Sequence, residues 1–397
     1  MVSPVNKVED PVAALRVRIE SWLIDSALPL WAGAGFEDRA GTFHERLDLN
    51  GAPIIDVPRR LMVQARQISV YAAASISGRY SDGAQLALRA ADKMIGAYFE
   101  GDGAPGWLFS VSPDGRPADH KRDLYAHAFV LFALAWIIRL DNAQRHRNVL
   151  DKTLIFLDRA LADPLNGGYR DCLPRADGIR RQNPHMHLFE ALIALHETTR
   201  RDDILRRAQA LRALAVKRFL NPATGALCEY FDDEWNIYPA PGRGSVEPGH
   251  LFEWAWLLRQ YERASDEPQD GPVAALLSMG MRFGLSDASG RIVDEISEQG
   301  VVRARSSRCW PHTEALKALC EEAIRGERKY HAPLLRIAER LLGHYCLPDL
   351  SGGWIDQLDD ADRPISKFTP ASTLYHLYFA FDNAIKLFYL DKNLHAR

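Results

Sequence analysis

The chain has 397 residues, 47% of them hydrophobic, which is enough for a large buried core; 49 Lys and Arg against 52 Asp and Glu leave a net charge of −3. With no long basic run, this balance excludes nucleic acid and an anionic membrane as main partners. No segment reaches the roughly 18–20 uninterrupted apolar residues of a membrane span, and the N-terminal Met-Val-Ser-Pro-Val-Asn-Lys-Val-Glu-Asp lacks the apolar core of a signal peptide. The five cysteines at 172, 228, 309, 320 and 346 are odd in number and form no CxxC. A cytoplasmic protein with free thiols is the expectation.

In chain order, one phrase recurs: Gly, then one or two bulky residues, then in most copies an acidic one. It stands at Gly41-Thr-Phe-His-Glu, Gly106-Trp-Leu-Phe-Ser, Gly168-Tyr-Arg-Asp, Gly225-Ala-Leu-Cys-Glu, Gly290-Arg-Ile-Val-Asp and Gly353-Trp-Ile-Asp. The intervals of 65, 62, 57, 65 and 63 residues identify an internal repeat. A helix start follows each phrase, marked by Pro58, Pro184, Pro248, Pro311 and Pro370 and, in the second copy, by Asp123 as cap. The third start is read with Asn183 as N-cap and Pro184 as first helical residue, followed by the apolar stripe Leu188, Ala191, Leu192 and Leu195. Second amphipathic segments lie at 13–26, 85–99, 147–160, 203–219, 273–283 and 332–344. Each unit is therefore a helical hairpin, with strand signals confined to the Gly-aromatic phrases.

A helical hairpin cannot bury both faces alone, so its neighbours must stack. Six units with no polar capping repeat suit a closed ring of six inner and six outer helices, an (α/α)6 barrel occupying residues 1–397 as one domain. If the inner helices are parallel, their N-termini converge on one pit, the expected site. Just inside the helix starts stand Arg60, Tyr125, His187, His250, Glu314 and His376, again at near-constant spacing.

Each copy offers chemistry to the pit. The first supplies Arg60 and, one turn on, Gln64, donors for hydroxyls or an oxyanion; the second supplies Tyr125 and His127. In the third, His187 is placed in the first turn, where the helix end lowers an imidazole's pKa and suits it to proton exchange. In the fourth, His250 and Glu253 share a helix face, while Trp254 and Trp256 cannot both reach the pit. The fifth offers Trp310 as a platform for a sugar ring, beside His312 or Glu314, and in the sixth His376 sits deeper than its counterparts. No HExxH or DxDxDG loop exists, and Asp356, Asp359, Asp360 and Asp362 read as a solvated turn, so neither a metal nor any other cofactor is expected. Without GxxxxGK[ST] or a strand-linked GxGxxG, nucleotide chemistry is unsupported.

Asn183-Pro-His-Met-His-Leu-Phe-Glu-Ala, Pro248-Gly-His-Leu-Phe-Glu-Trp-Ala-Trp-Leu-Leu, Trp310-Pro-His-Thr-Glu-Ala and Tyr375-His-Leu-Tyr resemble the N-acylglucosamine 2-epimerase family, which includes mannose isomerases, sulfosugar isomerases and cellobiose 2-epimerases. The resemblance runs over almost the whole chain. It implies an (α/α)6 barrel acting on a reducing sugar without a metal, through a cis-enediol or enediolate. His250 and His376 are then the acid/base pair, and His187 assists ring opening. Asn183, Tyr125, Glu253 and Arg60 bind hydroxyls or position the histidines, and Arg243 holds a substrate oxygen. The expected partner is a small monosaccharide, acted on by a monomer or homodimer. Isomerisation of free mannose to fructose leads. The alternatives are 2-epimerisation of N-acetylglucosamine, another hexose or cellobiose; a glycoside hydrolase using carboxylates from Glu190, Glu253 and Glu314; and a helical-repeat binding protein without turnover.

Overall fold

The computed structural model describes residues 10–390. The N-terminal stretch read for a signal core lies outside them up to residue 9. Among the described residues, twelve principal helices alternate between two rings. The outer ones are α1 (Pro11–Glu20, prolonged by further helical turns to Ala32), α3 (Gly83–Tyr98), α5 (Gln144–Phe156), α7 (Asp202–Leu214), α9 (Asp270–Met279) and α11 (His331–Arg340). The inner ones are α2 (Leu61–Ile76), α4 (Leu124–Asp141), α6 (Gln182–Thr199), α8 (Pro248–Ser265), α10 (Cys309–Ile324) and α12 (Leu374–Leu390).

The inner helices pack in the order α2, α4, α6, α8, α10, α12 and back to α2, and α1 packs on α12, so the ring closes. It is an (α/α)6 barrel. The rings sort by sequence: α6 is buried almost without interruption from Gln182 to His196, whereas α7 buries only Ile204, Ala208 and Leu211. A helix packed on both flanks and its back must be apolar nearly all round; one exposed to water needs a single stripe. Among the described residues, α4 is long and apolar enough to cross a membrane, but here it is a barrel stave with most of its surface buried.

Short strands zip the repeats together, and they extend beyond the Gly-aromatic phrases to which the sequence reading confined them. The strand preceding each inner helix pairs antiparallel with one that follows the next phrase: Arg59–Arg60 with Ser110–Val111, Arg180–Arg181 with Tyr230–Phe231, and Ser245–Val246 with Glu295–Ser297. The last, Phe368–Pro370, pairs with Arg46–Asp48 and closes the ring at this end too. Strands of two or three residues carry little pattern, so their partners are set by the ring and not by local sequence.

A latch repeats at the fourth residue past the inner-helix N-cap. His127, His185 and His312 each hold Nδ1 against the carbonyl four residues back and accept a backbone N–H on Nε2, from Trp107 (3.2 Å), Tyr169 (3.0 Å) and Ile292 (3.0 Å). Gln64 does the same for Phe43 N–H at 2.9 Å. Burial lowers these three imidazoles to about 4, 4 and 3, matching the neutral tautomer that accepting on Nε2 requires. Gln64, His127 and His312, read as pit residues, are thus framework.

Candidate active site

The inner-helix N-caps are Arg60, Asp123, Arg181, Glu247 and Arg308, with Pro370 capping the turn that leads into α12. The sixth residue past each cap is Arg66, Phe129, His187, Glu253, Glu314 and His376. These six form one layer across the barrel axis. Above them, a cavity of about 250 Å³ is lined by Arg66, His187, Glu253 and His376 from that layer, together with Tyr125, Asn183, His250, Trp310 and Asp356.

This register corrects the earlier one. The third helix starts two residues before the position read from Asn183, because Arg181 is held in a strand pair with Tyr230 and Gln182 N–H donates to Glu229 O at 3.1 Å. Asn183 is therefore inside the helix and lines the cavity, with its Oδ1 buried and without a protein partner. His187 lies in the second turn, not the first. It is level with His376, and His250 is the shallower one.

The three imidazoles share one plan. His250 Nδ1 bonds Glu229 Oε1 at 2.9 Å, His376 Nδ1 bonds Glu314 Oε1 at 2.7 Å, and His187 Nδ1 bonds Glu190 Oε2 at 3.1 Å. A carboxylate on Nδ1 fixes the tautomer and leaves Nε2 for the cavity. Their electrostatics differ. Burial alone would depress His250, but Glu229, Glu247 and Glu253 outweigh it and raise the imidazole to about 9. Burial lowers His187 to about 4, and burial with Arg66 and Lys317 holds His376 well below its ordinary range. The helix end is not the principal cause for His187. Burial and Glu314 push Glu253 well above the usual carboxyl range, and both its oxygens are buried without a hydrogen-bond partner.

The cation of the cavity floor is Arg66, which the sequence reading missed. It is 4% exposed; Nη2 donates to Tyr125 Oη at 2.6 Å, Nη1 to Ser372 O at 3.2 Å, and its Nε has no partner. Its guanidinium carbon lies 4.1 Å from the Phe129 ring centre, and among the described residues no carboxylate pairs with it. Arg60, chosen in its place, is the N-cap itself. It pairs with Glu45 and lines a neighbouring depression with Lys121 and Arg181, sharing only Tyr125 and Asn183 with the cavity. The only cue was spacing: Arg66 stands six residues past its cap, as His376 does.

Trp310 forms one wall, its ring centre 4.9 Å from His250 and 5.8 Å from His376, and Tyr125 stands edge-on to His187 at 5.0 Å. Glu314 does not line the cavity but backs His376, and Arg243 is exposed on a loop outside it. Asp356, read as part of a solvated turn, is half-buried in the cavity wall and accepts from Thr373 Oγ1 at 2.7 Å. Trp254 donates to Gln182 Oε1 at 2.7 Å within the core, and Trp256 lines a separate cavity at the far mouth of the barrel. Glu229 was also missed, although it ends the fourth Gly phrase. The acidic ends of these phrases reach the next inner helix's first turn: Glu45 accepts from Arg60 N–H at 3.1 Å and Asp294 from Arg308 N–H at 2.7 Å.

His187, Glu190 and Glu253, then Glu229, Glu247 and His250, then Glu253, Glu314 and His376 form clusters compact enough for a metal ion. Each contains a histidine already hydrogen-bonded through Nδ1 to a carboxylate of the same cluster. An ion there would compete with the bonds that orient the imidazoles.

Barrel and site together define a class: (α/α)6 enzymes with buried histidine–carboxylate pairs at the N-terminal mouth of the inner ring. The chain belongs to the N-acylglucosamine 2-epimerase (GlcNAc 2-epimerase) family, whose profile matches residues 41–380. It is 33% identical to a mannose-6-phosphate isomerase of Rhizobium meliloti (strain 1021), covering 91% of this chain and 94% of that one. It is 25% identical to a D-mannose isomerase of Thermobifida fusca, covering 92% and 94%. The cellobiose 2-epimerase structure from Spirochaeta thermophila DSM 6192 shares the fold, with a TM-score of 0.85 at 21% identity over 97% of this chain and 99% of that one. The protein is an enzyme of a family of carbohydrate isomerases and 2-epimerases.

Proposed function

We propose that the protein interconverts a free aldose and ketose, D-mannose and D-fructose, through a cis-enediol intermediate. The carrying observation is that two imidazoles meeting at Trp310 are pushed in opposite directions, His250 to about 9 and His376 well below its ordinary range. Two titratable groups on one cavity with separated proton affinities make an acid and a base. A C2 proton beside an aldehyde is weakly acidic, so the base must be neutral at working pH and the carbonyl oxygen must meet a donor.

In the open-chain aldose, His376 Nε2 takes the C2 proton and the C–H electron pair forms the C1=C2 bond. The carbonyl electrons move to O1, which takes a proton from His250. His250 then removes the O2 proton, C2=O forms, and His376 returns its proton to C1. Arg66 stabilises the charge that develops on oxygen. Asn183, Tyr125 and Glu253 bind hydroxyls, Trp310 packs on the sugar face, and His187 assists ring opening. Glu190 and Glu314 are committed to histidines, which argues against their use as the carboxylate pair of a hydrolase.

A second reading, mannose 6-phosphate as substrate, is favoured by the name of the 33%-identical relative. Against it, Arg308 at the cavity pairs with Glu247 and Asp294, and Arg60 and Arg181 beside it pair with Glu45, Asp171 and Asp177. The test is incubation with mannose, mannose 6-phosphate, N-acetylglucosamine and cellobiose in D2O, followed by NMR. Fructose deuterated at C1 supports the proposal. Fructose 6-phosphate with no turnover of mannose replaces the substrate, and deuterium at C2 of an epimeric aldose replaces the reaction.

A further inference from the structure

All three cavity histidines are backed by a carboxylate, but among the described residues only one of those carboxylates has a buried cation ion-paired behind it. Lys317 lies on α10, three residues past Glu314, and is 1% exposed. Its Nζ sits 2.6 Å from Glu314 Oε2, while Glu314 Oε1 holds His376 Nδ1 at 2.7 Å. The Lys317 ammonium also stands 4.3 Å from the Trp256 ring centre, so an aromatic face closes its other side. Glu229 behind His250 has no counterpart: its second oxygen accepts from Gln182 Nε2 at 2.9 Å, and no Lys or Arg among the described residues forms an ion pair with it. The same carboxylate–imidazole contact is thus built once with its charge balanced and once without.

We propose that Lys317 is the positioning residue that makes His376 the proton acceptor of the pair: its ammonium balances Glu314, so the carboxylate orients the imidazole without favouring the imidazolium. Unbalanced, Glu229 holds His250 charged and ready to donate. The inference rests on the isomerase reading for its consequence in turnover, but not for its electrostatics. The other charged or titratable groups around His376 are Arg66 from α2, Tyr125 from α4, His187 and Glu190 from α6, Glu253 from α8, and Tyr375 beside it on α12, with its ring centre 4.8 Å away. Arg66, Lys317 and His187 disfavour a positive His376, whereas Glu190 favours it. Losing Lys317 therefore leaves the Glu314 carboxylate, 2.7 Å from His376 Nδ1, unbalanced, with Arg66 the main cation still opposing a charged His376.

The test is NMR titration of the full chain carrying isotope-labelled histidine, without sugar, with the His376 resonance assigned from His376→Asn. In the parent protein His376 titrates well below the ordinary histidine range, whereas in Lys317→Met its midpoint rises by about 1 pH unit or more. Lys317→Arg restores the parent midpoint. Glu314→Gln/Lys317→Met removes both charges and lies above Glu314→Gln alone, which gives a reading if the single Met variant does not fold. In turnover, the acidic limb of the kcat profile moves up with the NMR midpoint while KM stays within about threefold. A folded Lys317→Met with an unmoved His376 midpoint overturns the inference, as does a double variant no different from Glu314→Gln. Failure of every sugar to react, with the midpoint still shifted, overturns the isomerase reading instead.

Discussion

Replacing Glu229 by Gln keeps an oxygen for His250 Nδ1 but removes the charge. Glu229 is the foremost group raising His250, and the lift from the ordinary 6.5 to about 9 is worth roughly 3 kcal/mol in favour of the imidazolium. With that charge gone, burial is opposed only by Glu247 and Glu253, and the imidazole falls to about 7 or below. If His250 works as the imidazolium, the rate is full below its folded pKa and lost as pH rises through it. The parent enzyme then keeps its plateau to near pH 9, where Glu229→Gln has already lost activity by about tenfold to a hundredfold. At pH 6 the variant is mostly reprotonated and the loss shrinks to a few-fold. The assay is aldose–ketose conversion by NMR from pH 5.5 to 10, with circular dichroism to verify the fold. An unmoved alkaline limb, or an equal loss at every pH, refutes His250 as the acid.

Three further outcomes are expected. Arg66→Lys keeps a charge but not the planar fork between Tyr125 and Ser372, and should lower kcat by about a hundredfold with a smaller change in KM; steady-state rates near the parent's would remove Arg66 from oxyanion stabilisation. His312→Gln should leave sugar preference unchanged and stability within about 1 kcal/mol by urea unfolding, because Gln64 performs the same latch; an altered mannose-to-glucosamine preference would place His312 in the site. Gly225→Ala should destabilise by about 2 kcal/mol or more, since φ is +76° and the new Cβ would fall 2.1 Å from Ala275 O; an unchanged urea midpoint would contradict that geometry.

Much of the fold was legible because its signal is periodic. Glycine phrases from Gly41 to Gly353 and prolines from Pro58 to Pro370 mark six units, and a hairpin with two apolar faces has to be stacked. Asp123 was rightly read as a cap, and its side chain accepts Ala126 N–H at 2.9 Å. The site was less legible because a helix start is uncertain by a residue or two, and one such error turns a side chain through more than a quarter of a turn. Starting α6 at Asn183 put His187 in the first turn; counting from the start of α2 stopped at Arg60 and Gln64 before reaching Arg66. His127 and His312 could not be told from working histidines, since the difference lies in whether Nε2 meets a backbone N–H or a cavity.

The sequence alone determined that the chain is a sixfold helical repeat with imidazoles, carboxylates and a platform tryptophan near the starts of its inner helices, because residue type and spacing are local properties. Only the tertiary structure decided which histidines are charged, which are neutral and which serve the framework. A pKa is set by burial and by charges a few ångströms away, and here those charges stand far off in sequence: Glu229 reaches His250 from 21 residues back in its own repeat, and Glu314 reaches His376 from 62 residues back in the repeat before.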